Sequence, residues 1–168
     1  MNAAKAIEIC YARTLRKYAE LGEGVKLRPW QSLREDEWRY TNDEGDKRFP
    51  CIDIRCSPPA SREDIGVCFD AQCYMTCAHK VADDRDHEKV SAMFEETERV
   101  TLLLFKQWRN QTLTEDQIAY WREQWTNLLG ATYILPAFTV GDPVPPTDEN
   151  NLSVIGVSQI VSFPRTDI

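Results

Sequence analysis

Apolar or small positions recur at three- and four-residue steps over residues 3–21: Ala3, Ala6, Ile7, Cys10, Thr14, Tyr18 and Leu21. That spacing predicts an amphipathic helix, and Gly22 and Gly24 suit its end. The period then changes to two. Over residues 49–56, Ile52, Ile54 and Cys56 fall on one side and Cys51, Asp53 and Arg55 on the other. Over residues 67–79, Phe69, Ala71, Cys73, Met75 and Cys77 alternate with Asp70, Gln72, Tyr74 and Thr76. Two strands are predicted, paired as an antiparallel hairpin across a loop from Ser57 to Gly66.

Helical spacing returns over residues 86–109, with Val90, Met93, Phe94, Thr97, Val100, Thr101, Leu104 and Trp108 as the stripe, acids Asp83, Asp84 and Asp86 at its start and Lys106 and Arg109 at its end. Those charges complement the helix dipole. Thr114-Glu115-Asp116-Gln117 is a capping-box pattern; it opens a third predicted helix, 115–129, with Ile118, Trp121, Trp125 and Leu128 on one face and Gly130 after its end. Residues 131–140 and 152–163 are two more predicted strands, and Ile155, Val157, Val161 and Phe163 share a face of the last. The order α-ββ-αα-ββ predicts an α+β domain: helices packed on a mainly antiparallel sheet of four strands or slightly more.

Two stretches escape this periodicity. Residues 23–48 are charged, punctuated by Gly24, Pro29, Asn42 and Gly45, with Trp30, Leu33 and Trp38 as isolated apolar anchors. A long loop or arm is expected there, and loops of that length inside a compact domain commonly have a function. Trp30 and Trp38 either fold back onto the domain or anchor a partner. Residues 141–151, containing Pro143, Pro145, Pro146, Asp148 and Glu149, are expected to form an exposed, stiffened acidic loop.

With 168 residues, 42 % apolar and 28 % charged, the chain has globular composition and fits a single domain spanning 1–168. Area scaling puts burial at about 70 % of the extended-chain surface, so no metal or disulfide staple is required. There is no run of 18 apolar residues, which excludes an apolar membrane helix. The opening Met1-Asn2-Ala3-Ala4-Lys5 lacks a signal-peptide core. Folding in a reducing cytoplasm, with the six cysteines as thiols, is the expectation. Net charge is −7, which disfavours non-specific nucleic-acid binding. Residues 1–48 carry 10 basic and 9 acidic side chains, and the remainder 10 and 18, so the acidity sits in the body.

No catalytic constellation emerges. Cys51 and Cys56, and Cys68 and Cys73, are separated by four residues each, with Cys77, His79 and His87 following; no C-x-x-C knuckle is present, and strand alternation sends Cys51 and Cys56 to opposite faces. Cys56, Cys73 and Cys77 fall on apolar faces as small hydrophobes. A disulfide between neighbouring strands, with Cys51 or Cys68 as a member, is the lesser alternative. Cys77 and His79 share a strand face, the nearest approach to a nucleophile–base pair, but no third group orients them. The clusters Asp83/Asp84/Asp86, Glu95/Glu96/Glu98 and Asp148/Glu149 read as helix-start charge, a solvated helix face and a loop tip. Trp121 and Trp125 read as a core stripe rather than a stacking platform. No catalytic residue, cofactor or metal site is assigned.

The layout as a whole resembles a known family. An opening helix leads to a short strand after a proline, Arg48-Phe49-Pro50-Cys51-Ile52-Asp53-Ile54; a long alternating strand ends near His79; an acidic turn starts a long helix at Asp86-His87-Glu88-Lys89-Val90; and a polar loop precedes the closing strand Leu152–Phe163. This resembles the tail-terminator and tail-completion (neck) proteins of tailed bacteriophages, in element order rather than in a signature motif. The resemblance implies a non-enzymatic virion protein made in the host cytoplasm: a subunit of a ring, usually hexameric, that caps the tail tube, ends its polymerisation and joins the tail to the head connector. Its partners would be copies of itself, the tail-tube protein and a connector or neck protein, with DNA only as passing cargo, and an acidic lumen wall would let that DNA pass. The candidate subunit or partner contacts are Trp30, Leu33 and Trp38 in the arm and Pro143, Pro145, Pro146, Asp148 and Glu149 in the second loop. The alternatives are another neck ring (a head-completion or stopper protein), a binding module using Trp30 and Trp38, or a small cytoplasmic enzyme or metal-binding domain using Cys73, Cys77 and His79.

Overall fold

A computed structural model describes residues 3–22, 24–33, 49–58, 60–61, 68–81, 84–108, 114–129, 137–140, 144–149 and 152–164. Helix α1 (Ala3–Tyr18) is followed by strand β1 (Lys26–Pro29), a 3-10 turn (Trp30–Ser32), β2 (Cys51–Cys56), β3 (Ala60–Ser61) and β4 (Cys68–Lys80). Helices α2 (Asp84–Trp108) and α3 (Glu115–Leu129) come next, then β5 (Ala137–Val140), β6 (Val144–Glu149) and β7 (Leu152–Pro164). The α+β class and the helices packed on a mostly antiparallel sheet are as the periodicity predicts.

The sheet runs β1-β2-β4-β7-β5, with β3 also on β4 and β6 also on β7. Its spine is the antiparallel pair β4–β7, in register over thirteen positions from Cys68↔Pro164 to Lys80↔Leu152. β2 pairs antiparallel with the other edge of β4, Cys51↔Ala78 through Cys56↔Cys73. Ile52, Ile54, Cys56, Ala71, Cys73, Met75, Cys77, Val157 and Val161 join one core cluster with Ala4, Ile7, Cys10, Tyr11 and Leu15 of α1, Val90, Met93 and Val100 of α2, and Trp125 of α3. The period-two and period-3.6 faces therefore meet: α1 and α2 cover one face of the sheet, and α3 packs on α1. Trp125 is a core residue, with Leu128 packed beside it; the side chains of Ile118 and Trp121 lie outside the described residues.

The helices are tied to one another by polar contacts at their ends. In the capping box of α3, Thr114 N–H donates to Gln117 Oε1 at 3.0 Å and Gln117 N–H to Thr114 Oγ1 at 3.3 Å. The rings of Tyr18 and Tyr120 meet edge-on at 5.5 Å, with Lys17 Nζ 4.1 Å from the Tyr120 ring centre, joining α1 to α3. Arg99 of α2 donates to Tyr18 O at 2.5 Å while Glu96 accepts from Glu20 N–H at 2.9 Å, joining α2 to the end of α1.

Three expected loops contain strands. Lys26–Pro29, inside the expected arm, pairs parallel with β2, Lys26↔Cys51 through Pro29↔Ile54. Parallel neighbours need a crossover of a dozen residues or more. The long stretch from Trp30 to Pro50 therefore serves the topology, carrying the chain from the end of β1 back to the start of β2. Residues 144–149, expected as an exposed loop, form β6, from Val144↔Gly156 to Glu149↔Leu152. Pro145 and Pro146 fall at the register shift between Val144 and Thr147. A bulge on an edge strand tolerates residues that cannot donate to the ladder. The short β3 likewise lies within the expected Ser57–Gly66 loop.

Candidate interaction surface

Among the described residues no strand continues the sheet edge beyond Pro29, and helix α1 supplies an acceptor there. Just past β2, Ser57 N–H bonds to Gln72 O at 2.8 Å. Alternation of the antiparallel ladder then points Cys56 N–H away from β4, toward the side β1 has vacated. The Glu8 carboxylate of α1 takes that proton donor: Oε2 is 2.9 Å from Cys56 N and Oε1 is 2.7 Å from Gln31 N. Glu8 is 1 % exposed. Burial raises its pKa above the usual 4.5, and the hydrogen bonds from Gln31 and Cys56 and the charge of Arg55 partly offset that rise. One buried carboxylate therefore holds the Trp30–Ser32 turn to both α1 and β2.

That turn presents Trp30. The guanidinium carbon of Arg55 lies 4.2 Å from the centre of the Trp30 ring, a cation–π stack. Arg55 is paired across the ladder with Tyr74, and Tyr74 OH donates to Gln72 Oε1 at 2.9 Å. Gln72 in turn receives Ser57, whose Oγ accepts Gln72 N–H at 2.9 Å. Trp30, Arg55, Tyr74 and Gln72 thus form one row across the sheet edge and the face opposite the helices. Arg55 and Gln72 are exposed, Trp30 is half-buried, and Tyr74, at 37 %, is the exposed large hydrophobic side chain among the described residues. Tryptophan, tyrosine and arginine are the residue types that dominate interface energetics.

Farther along the same face, polarity gives way to burial. Arg28 and Asp53 form an ion pair, and Phe49, Cys51 and Ala78 make a small second core with Leu152 and Val154 packed against it. Cys51 and Cys56 do point to opposite faces. Both are buried all the same, because the second face is covered here.

Of the predicted contacts, the structure places Trp30 in this row and Leu33, half-buried, just after the turn. Trp30 is held back against the domain while one side remains open to water. Pro145, Pro146, Asp148 and Glu149 are on β6, at the other end of the sheet path, so the two predicted groups are not brought together. Trp38 and Pro143 lie outside the described residues. Arg55, Gln72 and Tyr74 are additions to the contacts expected from sequence. Their signal is present in the alternation, which puts all three on the non-core face, but alternation does not say whether that face is covered.

The chemistry weighed from the sequence stays dispersed. Cys77 Sγ is 3.6 Å from Thr97 Oγ1 and its thiol is pushed up to about 12, chiefly by burial. His79 Nε2 is 3.4 Å from Asp86 Oδ1; burial lowers the His79 pKa, with Lys89 acting in the same direction and Asp86 against it. Each thus has its own partner, and no hydrogen bond joins Cys77 to His79 among the described residues. Glu96 pairs with Arg99 at 2.7 Å. Among the described residues no three side chains of metal-binding type cluster together, and no helix is long and apolar enough to cross a membrane. Cys10 and Cys51 are free buried thiols, each pushed up to about 12 mainly by burial.

No protein-family model matches the chain, and no curated protein sequence matches it.

Proposed function

We propose that the chain is a structural ring subunit of a phage neck or tail, one that caps the tail tube and joins it to the head connector. The observation that carries this reading is the row Trp30–Arg55–Tyr74–Gln72, open to water beside the β1 end of the sheet. A ring is built from a heterologous contact, in which two different patches of one subunit meet their complements on two neighbours. This sheet ends in two unlike edges: short β1 beside a cationic–aromatic row, and β5 with proline- and acid-bearing β6. The first edge of one copy facing the second edge of the next would bring Arg55 toward an acidic strand. The resemblance of element order to tail-terminator proteins supplies the ring's place in the virion.

The test is light scattering after size exclusion, with negative-stain images, on the protein alone and mixed with a tail-tube protein. Closed rings, or caps on tube ends, are expected, and Arg55→Glu should abolish them while leaving the circular dichroism unchanged. Rings that bind a connector but never a tube would make the protein another neck ring. A 19.4 kDa monomer that joins neither would overturn the proposal.

A further inference from the structure

We propose that Cys56 and Cys73 form a redox-modification site, a cross-strand thiol pair that a low-molecular-weight disulfide converts to an intramolecular disulfide. The inference is independent of the ring reading and rests on the ladder. Cys56 and Cys73 are directly opposed in the β2–β4 register. The next position along, Ser57 and Gln72, carries the 2.8 Å backbone hydrogen bond, so Cys56 and Cys73 occupy a non-hydrogen-bonded site. At such sites opposed Cα atoms are about 4.5 Å apart and the side chains are at their closest. A disulfide spans Cα separations of about 4.4–6.8 Å, so the bond needs side-chain rotation but no movement of the strands.

Both side chains point to the same face. They belong to the same core cluster. Cys56 Sγ is held by Ser57 O, at 3.4 Å, a contact that breaks readily on rotation. The two differ in access: Cys73 is 0 % exposed and Cys56, the last residue of β2, is 7 %. Burial holds the Cys73 thiol well above its usual range, so Cys73 is the resolving group and Cys56 the attacking one.

The chemistry balances with oxidised glutathione as the oxidant. Cys56 loses its proton and its sulfur attacks one glutathione sulfur. A mixed disulfide forms and the first glutathione leaves as a thiol. The Cys73 sulfur then gives up its proton and attacks the Cys56 sulfur, releasing the second glutathione thiol. The protein loses two protons and two electrons, and the oxidant gains them. The product staples β2 to β4 where β1 no longer flanks β2. Cys10, in the same core cluster, comes from the helix layer, and Cys51 and Cys77 lie farther along the ladder.

The experiment treats the reduced, folded chain with oxidised glutathione and follows intact mass and a non-reducing peptide map. The expected product is lighter by two hydrogen atoms, links the Cys56 and Cys73 peptides, and reverts with dithiothreitol. Cys10→Ser should still form it. Cys56→Ser should not, and Cys73→Ser should stop at the mixed disulfide on Cys56. Should Cys73→Ser fail to fold, Cys73→Ala serves in its place. A native protein that gains no internal disulfide, or that links Cys10 or Cys51 instead, would overturn the proposal.

Discussion

Arg28 Nε stands 3.4 Å from Asp53 Oδ1 across the β1–β2 pair, with 6 % and 1 % of the two side chains exposed. The pair sits on the only parallel ladder among the described strands, and it joins a four-residue strand to the rest of the sheet. Removing one partner takes its counter-ion from the other buried charge, which costs about 3–5 kcal/mol. Asp53→Ala should therefore lower the unfolding free energy in urea by about 3 kcal/mol. Arg28→Met combined with Asp53→Leu should cost markedly less than the sum of the two single changes, because neither charge is then stranded. Additive losses in this cycle would show that the pair does not hold β1 in place.

Glu8 should make stability depend on pH in a direction opposite to that of most carboxylates. Its folded pKa is raised above 4.5, chiefly by burial. The fold therefore prefers the protonated form. The stabilisation from that preference is fully present below the unfolded value and is lost as pH rises through the higher folded value. Glu8→Gln removes the titration and retains one acceptor. The unfolding free energy of wild type minus that of the variant should fall as pH rises from the usual 4.5 through the higher folded value. A flat or rising difference would mean that the hydrogen bonds from Gln31 and Cys56, rather than burial, control the group. Glu8→Ala should destabilise by about 2–4 kcal/mol at low pH, since the Gln31 and Cys56 N–H groups both lose their acceptor, and by less as pH rises.

The layers of this fold are legible in the sequence because each has one dry face. Ile52, Ile54 and Cys56 alternate, Met75 and Cys77 alternate, and Ile7 and Cys10 recur helically; all converge in one core. What escapes a reading of the sequence depends on partners distant along the chain. Lys26–Pro29 has no alternation long enough to register, and it becomes a strand because β2 offers a ladder and Asp53 a counter-charge. Pro145 and Pro146 argue against a strand on local grounds, and only the bulge opposite β7 accommodates them. The exposed row is half legible: Trp30 stands out as an aromatic with no local core, whereas Arg55 and Tyr74 become its neighbours only through the turn that Glu8 holds. Glu8 itself lies outside the helical stripe read from the sequence, and nothing in its local spacing marks it as buried.

Tyr11, Gln159 and Thr101 form a second buried polar link. Tyr11 OH donates to Gln159 Oε1 at 2.5 Å, and Gln159 Nε2 donates to Thr101 O at 2.6 Å, so β7 is bonded to both α1 and α2 through the core. Tyr11→Phe keeps the ring and leaves the Gln159 oxygen without this donor, which should cost about 1–3 kcal/mol. Gln159→Leu removes the amide but leaves Tyr11 and Thr101 facing an apolar side chain, and should cost at least as much. The double change Tyr11→Phe with Gln159→Leu should be less than additive if the two groups act as one network. Thermal unfolding of the four proteins measures this directly, and strict additivity would show that the link contributes nothing cooperative.

Gly156 is where the sheet's spine demands the smallest residue. A Cβ there would overlap the carbonyl oxygen of Met75 and come within 2.9 Å of Thr76 Cα, both backbone atoms of β4. Because β4 and β7 are paired along thirteen positions, neither strand can give way at one point without disturbing its neighbours in the ladder. Over-packing a close-packed interior costs about 1–3 kcal/mol even where side chains can adjust; here only backbone could move, so Gly156→Ala should fall at or above the top of that range. Gly22 is the internal comparison. It is exposed, a Cβ there meets nothing within 4 Å, and Gly22→Ala should be neutral or should stabilise by up to about 1 kcal/mol through the unfolded chain. Urea midpoints for the two variants should therefore move in opposite directions or differ widely. Equal shifts would mean that β4 and β7 separate locally more easily than their long register implies.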